Sequence, residues 1–519
     1  MLRLIWRKPI HFLLCFSIIA SLSVFTSPVV AKESVLTVGV ENAPKTMDPR
    51  FAYDATGMQI SHNLLFSTLV TLSADLRIIP RLAERWENPD DKTYVFYLRK
   101  GVRFHDGKPL TAEDVKFTFD HLKNKETKSL FAGTYNKSID SIKVINPHKV
   151  EFKLKQVVAA FTTSIIMPII PKHVVTAGDD FPKKLIGSGP FKFVSQSPNQ
   201  IVLEKNTDYY KGSPKVDKVV YKIIKDDNTR FLKMRKGELD LVINSMPLKK
   251  INDFRKKPLN NMYRVIENPG LSYQYLSFNV SAPEVQDVRI RQAIAHGIDV
   301  KEIVKYRLQG HAKQSFGVLS AQNWYTEEDV PKFTYDPETA KKILEEAGFK
   351  DPDGDGPQPR ITLEMKTSTN KETIGIARIM KSQLAKIGIK LDVKSYEWGT
   401  FFGDIKNGNF QMTSLRWVGI TEPDFYYDLF HSSMMPPNGR NRGRYNNPEI
   451  DKLAEQGRLE LNPKKRKEIY SKIQKIIAKD LPYFSLWHRN NISLVHKRVS
   501  GYSQDPMGGY LSFYKISVK

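Results

Sequence analysis

The chain reads Leu82-Ala-Glu-Arg-Trp86 and then, six residues on, Lys92-Thr-Tyr-Val-Phe-Tyr-Leu-Arg-Lys-Gly-Val-Arg-Phe-His-Asp-Gly-Lys-Pro-Leu-Thr-Ala-Glu-Asp-Val115. Its aromatic and β-branched part, residues 93–98, predicts a strand bounded by polar turns. Residues 104–107 predict a turn in which Gly107 supplies the permissive backbone. A capping box at residues 111–114 then predicts the start of a helix. Strand, turn and helix thus follow one another within a short stretch.

The same alternation extends to both sides of this stretch. Residues 35–40 and 149–154 alternate apolar and polar side chains, which predicts strands with one face in the core. Residues 336–347 predict a helix, because Pro337 stands at its first position and Gly348 lies just past its end. No internal repeat or low-complexity tract interrupts the pattern. We therefore expect a compact α/β protein.

The N-terminus predicts export. Arg3, Arg7 and Lys8 precede an apolar run from Ile10 to about Phe25. The small-residue site at residues 29–31 then predicts a signal peptide, residues 1–31, cleaved near Ala31. A membrane anchor is the alternative, but the apolar run is shorter than the roughly 20 residues of a spanning helix. We expect a periplasmic protein.

Cysteine and charge exclude several classes of protein. The single cysteine, Cys15, follows Leu14 inside the predicted signal, so neither a lipoprotein site nor a cysteine nucleophile is expected in the mature chain. The mature chain has 519 − 31 = 488 residues, enough for two or more domains. The net charge of +24 is spread along the chain and mixed with acids, as in residues 123–126. This pattern is typical of a solvated basic surface, and we expect no nucleic-acid partner.

The quoted stretch resembles the signature of the family 5 extracellular solute-binding proteins, the group that contains dipeptide- and oligopeptide-binding proteins. Further matching segments follow in the expected order along the mature chain. They are Thr46-Met-Asp-Pro49, Ile186-Gly-Ser-Gly-Pro-Phe191, Gly237-Glu-Leu-Asp240, Asp287-Val-Arg-Ile-Arg-Gln-Ala293, Tyr335-Asp336-Pro337 with Ala347-Gly348, and Tyr445-Asn-Asn-Pro448. The resemblance covers essentially the whole mature chain.

The resemblance implies a two-lobed periplasmic binding protein clamshell (cluster C-like) with an extra subdomain in the first lobe. Lobe I would comprise residues 32–60, 181–270 and 481–519, the extra subdomain residues 61–180, and lobe II residues 271–480. Closure of the lobes would bury a ligand and present a distinct shape to a membrane partner. The implied function is the substrate-binding component of an ABC importer, which delivers peptides to permease subunits. We expect a monomer without cofactor or enzymatic activity.

The resemblance places the ligand site in residues 395–430. In peptide-binding members, the backbone around the second tryptophan of this segment pairs with an extended peptide as an added strand, a mode that gives affinity independent of sequence. Trp398 and Trp417 would form apolar walls, with ordinary core as the alternative for either ring. The candidate ligand-binding residues are Trp398, Arg416, Trp417, Val418, Gly419, Ile420, Glu422 and Asp424.

At one position the chain departs from the peptide binders. Their pattern has an Asp three residues after Trp417 that pairs with the α-amino group of the peptide, and here that residue is Ile420. Either Glu422 or Asp424 replaces that carboxylate, or the ligand lacks a free amino terminus: a modified peptide, an opine-like conjugate or an oligosaccharide. Glu422 is equally explained as a solvated loop residue. Arg416 would receive a carboxylate, or would instead be paired with Glu422 or Asp424.

Other functions have weaker support. Residues 351–356 resemble the opening of a calcium loop, but the twelfth position is Thr362 rather than the Glu that an EF-hand requires, so we expect a turn. The histidines show no metal-ligand spacing, and residues 187–189 lack the spacing of a nucleophile elbow. A secreted hydrolase is therefore a weaker alternative. A chaperone or adhesin that uses the basic surface is another.

Overall fold

The computed structural model describes residues 33–178, 180–354, 356–437 and 439–519. The predicted signal peptide lies outside these residues. Within the described residues no helix is both long and apolar enough to cross a membrane. Residues 34–519 form one compact unit.

The strands are given in chain order: β1 (Val35–Val40), β2 (Val70–Leu72), β3 (Ile78–Pro80), β4 (Ala83–Asp90), β5 (Thr93–Leu98), β6 (Ile139–Asn146), β7 (Lys149–Leu154), β8 (Phe191–Ser197), β9 (Gln200–Lys205), β10 (Lys218–Ile223), β11 (Leu241–Ile243), β12 (Tyr263–Phe278), β13 (Ala312–Gln314), β14 (Ile361–Ser368), β15 (Ile389–Tyr396), β16 (Met412–Val418), β17 (Tyr483–His496), β18 (Val499–Ser500) and β19 (Ser517–Val518).

The helices are α1 (Ala55–Ile60), α2 (Ala112–Lys123), α3 (Ala132–Ser138), α4 (Phe161–Ser164), α5 (Lys172–Thr176), α6 (Phe181–Lys184), α7 (Asp227–Arg235), α8 (Leu248–Ile251), α9 (Leu259–Met262), α10 (Pro283–Gln286), α11 (Val288–Gly297), α12 (Val300–Glu302), α13 (Pro337–Glu346), α14 (Lys371–Ala385), α15 (Trp398–Asn407), α16 (Phe425–Phe430), α17 (Pro448–Leu459) and α18 (Pro463–Asp480).

The elements predicted from local pattern are confirmed. β1, β5 and β7 have the predicted bounds. α2 begins with the predicted capping box, in which the hydroxyl of Thr111 caps the helix and the carboxylate of Asp114 accepts from the backbone N–H of Thr111. α13 has Asp336 as its N-cap and Pro337 in its first turn. Gly107 and Gly348 both have positive φ, as the turns require. These elements carry their own start and stop signals, which is why sequence alone locates them.

One long sheet runs through the molecule in the order β15-β14-β16-β12-β17-β11-β1-β10-β9-β8, with β13 also paired to β17. Its central pair is β12 and β17, two long antiparallel strands in register from Tyr263 opposite His496 to Ser277 opposite Tyr483. The register shifts between Pro269 and Ser272. A bulge of this kind bends the strand and increases its twist. It coincides with the predicted lobe boundary at residues 270 and 271, and the lobe boundaries themselves stay predictions.

Separate hydrophobic cores lie along this sheet. One core and its satellite use side chains from residues 36–266 and 492–518. Two others use side chains from residues 273–487. A further core lies between residues 69 and 169, under a separate sheet of order β4-β5-β7-β6. Each group of strands and helices is therefore stabilised by its own buried apolar surface.

The turn at residues 104–107, within the stretch quoted first, has a structural role. The Nδ1 atom of His105 accepts from the N–H of Gly187, and its Nε2 atom donates to the carbonyl of Gly189. Burial lowers the pKa of His105 to about 4, so the ring is neutral and holds this single tautomer. The two glycines lie against the chain at Leu64 and Leu65. A Cβ atom on Gly187 would lie 1.9 Å from the carbonyl oxygen of Leu65, and one on Gly189 would lie 2.1 Å from that of Leu64.

We expect Gly189→Ala to lower the free energy of unfolding by about 3 kcal/mol or more, because the new methyl group meets backbone that has no room to move. The matched control is Gly133→Ala in α3, where a Cβ atom meets nothing within 4 Å. There we expect a gain of roughly 0.5–1 kcal/mol from helix propensity. Denaturant unfolding followed by circular dichroism measures both. Equal changes in the free energy of unfolding for the two substitutions would contradict the close approach of Gly189 to the backbone of Leu64.

A candidate ligand cleft along strand β16

Strand β16 has one paired edge and one open edge. It pairs with β12 over its whole length, from Met412 opposite Phe278 to Val418 opposite Ser272. With β14 it pairs only at Met412 and Thr413. In the described part of the chain no strand therefore covers the second edge of residues 414–418. An open edge of this kind accepts an added strand.

The hydrogen-bond pattern shows which backbone groups point to the open edge. The N–H of Gly419 donates to the carbonyl of Leu271 on β12. Backbone groups in an antiparallel pair point to the same neighbour at every second residue. Trp417 therefore also directs its N–H and C=O toward β12, whereas Arg416 and Val418 direct theirs to the open edge.

The side chains of β16 alternate between two environments. Arg416 is exposed, and 73 % of the surface of Val418 is accessible to solvent. Trp417, on the other face, is half-buried against the aromatic core that contains Tyr273 and Tyr275. Ile420 is buried in the same core. Among the predicted site residues, Arg416 and Val418 therefore lie on the exposed face of β16, whereas Trp417 and Ile420 pack against the aromatic core.

Three adjoining cavities follow residues 416–422, and we call them together the cleft. The first, about 330 Å³, is lined by Arg416, Val418 and Gly419. The second, about 230 Å³, shares Gly419, Pro506 and Met507 with the first. The third, about 960 Å³, shares Leu76, Thr163 and Thr421 with the second and also contacts Glu422. Together they exceed the usual volume of a small-molecule pocket and leave room for an extended ligand.

The two predicted tryptophan walls lie elsewhere. The ring of Trp417 packs edge-on against Phe425 at 5.2 Å, and the guanidinium of Arg442 lies 4.7 Å from its centre. Trp398, 54 % exposed at the start of α15, stacks on Phe402, which Arg442 also contacts. Arg442 thus contacts both aromatic groups. Neither Trp398 nor Trp417 lines any of the three cavities.

Glu422 and Asp424 each have a guanidinium partner. Glu422 forms an ion pair with Arg466 at 2.5 Å, and Arg458 lies 3.3 Å from Asp424. Burial raises the pKa of Asp424 to about 6, and the two arginines oppose this shift. Neither carboxylate pairs with Arg416, for which the described residues provide no ion-pair partner. The alternative in which Arg416 is bound to Glu422 or Asp424 is therefore not what the structure shows.

Contacts also cross the cleft, between the segments predicted as the extra subdomain and as lobe II. The hydroxyl of Thr163 donates to Glu422 at 3.0 Å. The N–H of Ala159 donates to the carbonyl of Arg458 at 2.9 Å. The guanidinium of Arg77 lies 5.0 Å from the ring of Trp324. Glu422 is thus held from both sides, by Arg466 and by Thr163.

Several lining residues have no signal in the sequence. His311, Arg489 and Asn490 come from β17 and the segment that leads into β13, and Asp505 comes from the C-terminal loop. Burial raises the pKa of Asp505, against the effect of the backbone N–H groups that its carboxylate accepts from. The pairing of β17 with β12 and β13 brings His311, Arg489 and Asn490 to the cleft.

The predicted turn at residues 351–356 has no metal-like arrangement in its described part. The carboxylate of Asp351 pairs with Arg360 and accepts from the N–H of Gly354. Asp355 lies outside the described residues. Across the residues that the structure describes, no group of three or more His, Cys, Asp or Glu side chains is placed to hold a metal ion.

We expect Glu422→Gln to lower the free energy of unfolding by about 3 kcal/mol, because the Arg466 guanidinium, which is almost fully buried, loses its counter-charge. The control is Glu87→Gln, which breaks an exposed pair with Arg85 and should change stability by less than about 1 kcal/mol. Denaturant titration of both variants makes the comparison. A Glu422 variant as stable as wild type would show that the pair is solvated and that Glu422 is free to bind ligand.

Comparison with known proteins gives the family and the fold. The family described as "Bacterial extracellular solute-binding proteins, family 5 Middle" matches residues 77–435. The oligopeptide-binding protein AppA of Bacillus subtilis (strain 168) is 32 % identical, with 91 % of this chain and 89 % of the relative covered. Its structure in complex with a nonapeptide superimposes with a TM-score of 0.72 and 31 % identity, over 94 % of this chain and 99 % of that one.

Two further relatives bear other names. The heme-binding protein A of Haemophilus influenzae is 29 % identical, with 92 % of this chain and 91 % of the relative covered. The structure of HbpA2 from Haemophilus parasuis superimposes with a TM-score of 0.83 and 27 % identity, over 94 % of this chain and all of that one. The family match covers more than half of the chain, and the two-lobed fold is shared along nearly all of it. The protein belongs to the bacterial extracellular solute-binding proteins of family 5.

Proposed function

We propose that the solute is a peptide, held in the cleft as a strand added to the open edge of β16. As a member of family 5 the protein is a binding component of an ABC importer and not an enzyme. The observation that carries the peptide assignment is the open edge itself, where the backbone groups of Arg416 and Val418 point into a cleft. The name of the Bacillus relative and its nonapeptide complex support the same assignment.

Strand addition explains broad selection. Main-chain hydrogen bonds bind any peptide backbone, while the side chains of the peptide enter the cavities on either side. The three cavities differ in volume from about 230 to about 960 Å³, so they admit side chains of different sizes. A dipeptide would fill the first two cavities, and a longer peptide would extend into the third.

The amino end of the ligand would be bound differently here than in the peptide binders that have an Asp after the tryptophan. Ile420 replaces that Asp, and Glu422 and Asp424 already pair with arginines. An ammonium group in the large third cavity keeps part of its water and needs no dedicated counter-charge. These observations also support a second candidate, a ligand without a free amino group: a modified peptide, an opine-like conjugate or an oligosaccharide.

We further propose that residues 1–31 are a signal peptide cleaved near Ala31, that the mature protein is a periplasmic monomer, and that it delivers its ligand to permease subunits in the cytoplasmic membrane. The support is the basic, apolar and small-residue order of this segment. Native mass spectrometry of the protein purified from the periplasm measures both mature mass and bound ligand. A set of peptide masses supports the first candidate, and a single non-peptide mass supports the second.

We expect Val418→Pro to weaken binding of a trialanine peptide about tenfold, because it removes an N–H donor from the open edge. The bonds to β12 at Trp417 and Gly419 stay in place, and proline is tolerated at an edge position. The control Val418→Ala keeps the N–H and should change the affinity less than threefold. Isothermal titration calorimetry measures both, and an equal loss in the two variants would indicate a side-chain contact instead of strand addition.

We expect N-acetyl-trialanine to bind within about threefold of trialanine, since Glu422 and Asp424, the carboxylates closest in sequence to Ile420, are already paired with arginines. Competition against a fluorescent peptide compares the two ligands directly. A loss of 30-fold or more on acetylation, about 2 kcal/mol, would mean that a carboxylate of the cleft receives the ammonium group after all.

A further inference from the structure

Four cationic side chains lie close together where the segment predicted as the extra subdomain joins lobe I. Arg81 lies between β3 and β4, and Arg99 follows β5. Lys211 comes from the loop between β9 and β10, and Lys515 comes from the C-terminal segment. The backbone carbonyl of Arg81 accepts from Nε of Arg99 at 2.8 Å. The four residues are distant in sequence, so the fold, and not a local motif, brings them together.

Three tyrosine rings connect the two lysines. The rings of Tyr209 and Tyr210 lie 4.7 Å apart, and those of Tyr209 and Tyr514 lie 5.7 Å apart. The Nζ atom of Lys211 is 5.9 Å from the centre of the Tyr210 ring, and that of Lys515 is 5.5 Å from the centre of the Tyr514 ring. Tyr209 is buried, and Tyr210 packs against the core between residues 69 and 169. Packed rings therefore hold the backbone that carries both exposed lysines.

This group of cations has little compensating negative charge. Arg81 is buried, and its guanidinium donates to uncharged oxygen atoms. Glu84, which is more than half exposed, lies 3.8 Å from Arg99. Within the part of the chain that the structure describes, no carboxylate forms an ion pair with Arg81, Lys211 or Lys515. Three of the four positive charges thus lack a counter-charge, a balance that attracts an anion.

Two polar groups of the cluster are available to such an anion. The hydroxyl of Tyr210 is buried and has no hydrogen-bond partner among the described residues. Partial burial of the ammonium group, together with the charges of Arg81, Arg99 and Lys515, lowers the pKa of Lys211 to about 8. This lysine is still mostly protonated at neutral pH. A buried hydroxyl without a partner is destabilising unless a ligand supplies one.

The number of charges and donors favours a phosphate group. A phosphate monoester carries between one and two negative charges at neutral pH, and it presents three strong acceptor oxygens. A carboxylate carries one charge on two coplanar oxygens, which suits a bidentate arginine better than two lysines. A lysine ammonium group binds phosphate as a point charge and needs no planar fit. Two lysines and one phenol hydroxyl match the three oxygens.

We propose that Lys211, Lys515 and the hydroxyl of Tyr210 form a phosphate-binding site where the extra subdomain joins lobe I, with Arg81 and Arg99 adding positive charge behind them. None of these five residues lines the three cavities of the cleft, so the site is independent of the proposed peptide function. The phosphate group belongs either to a soluble phosphate or to the headgroup of an anionic lipid.

The first experiment titrates inorganic phosphate into the mature protein at constant ionic strength in chloride, followed by isothermal titration calorimetry. Lys211→Gln and Lys515→Gln should each weaken phosphate binding about fivefold or more, because each removes a charge-assisted hydrogen bond. Tyr210→Phe, which removes the hydroxyl and keeps the ring, should weaken it about threefold. The matched control is Lys305→Gln, which removes an exposed lysine 4.8 Å from the ring of Tyr306 and should leave the affinity unchanged.

A second measurement needs no loss-of-binding variant. Nuclear magnetic resonance of the protein with ¹³C-methylated lysines reports the pKa of each lysine, and the signal missing from Lys211→Gln assigns that residue. Phosphate should raise the pKa of Lys211, because a bound anion favours the charged form of the amine. The pKa of Lys305 should not change.

Phosphate binding that is absent in wild type, unaffected by Lys211→Gln and Lys515→Gln, or reduced equally by Lys305→Gln would overturn the site. So would a pKa of Lys211 that phosphate does not change. Sedimentation with vesicles of phosphatidic acid in phosphatidylcholine separates the two sources of phosphate. Sedimentation that is lost in Lys211→Gln assigns the site to a lipid headgroup, and phosphate binding without sedimentation assigns it to a soluble phosphate. Either of these two results supports the site.

Discussion

The backbone ladder between β12 and β17 is the interaction on which the rest of the structure depends. These two strands stay paired from Tyr263 to Ser277, and every other strand of the long sheet is added to one side or the other of this pair. The chain passes through the pair once on β12 and returns on β17, so both ends of the sheet are tied to the same hydrogen bonds. If the two strands separated, their buried backbone N–H and C=O groups would lose their hydrogen-bond partners. This cost makes the β12–β17 pair the most constrained part of the protein.

The ladder has two register shifts, one between Gln274 and Tyr275 and the other between Pro269 and Ser272. Gly270 lies there, and a Cβ atom on it would be 2.6 Å from the carbonyl oxygen of Arg489. The close approach permits only glycine and places the bend next to Arg489, one of the residues that line the first cavity. The bend therefore lies next to a cavity proposed to hold the ligand, an arrangement suited to closure that responds to a ligand.

The polar groups of the cleft divide into those that stabilise the protein and those that remain available to a ligand. Glu422 and Asp424 are carboxylates of the kind expected of ligand anchors, but Glu422 is the counter-charge of the buried Arg466, which would be costly to leave unpaired, and Asp424 pairs with the more exposed Arg458. Arg416 is exposed and has no such partner in the described residues. Whether a charged side chain already has an ion-pair partner, and not its residue type, decides whether it can bind a ligand.

Local pattern in the sequence determined a good part of this protein. Capping residues, strand alternation and turn glycines located β1, β5, β7, α2 and α13, because these signals act between near neighbours in the chain. The long resemblance identified the family, and it drew attention to the segment 395–430, which contains β16 and supplies part of the lining of the cleft.

Only the tertiary structure decided which face of β16 meets the cleft, because alternation assigns Arg416 and Trp417 to opposite faces without saying what covers each. It also decided that Arg466 and Arg458 take up Glu422 and Asp424, and that Arg489 and Asp505 line the cavities. Arg458 lies 34 positions from Asp424, Arg466 lies 44 positions from Glu422, and Arg489 lies 217 positions from Ser272 in the same cavity. Contacts over such separations depend on strand order and register, which a single sequence does not encode locally.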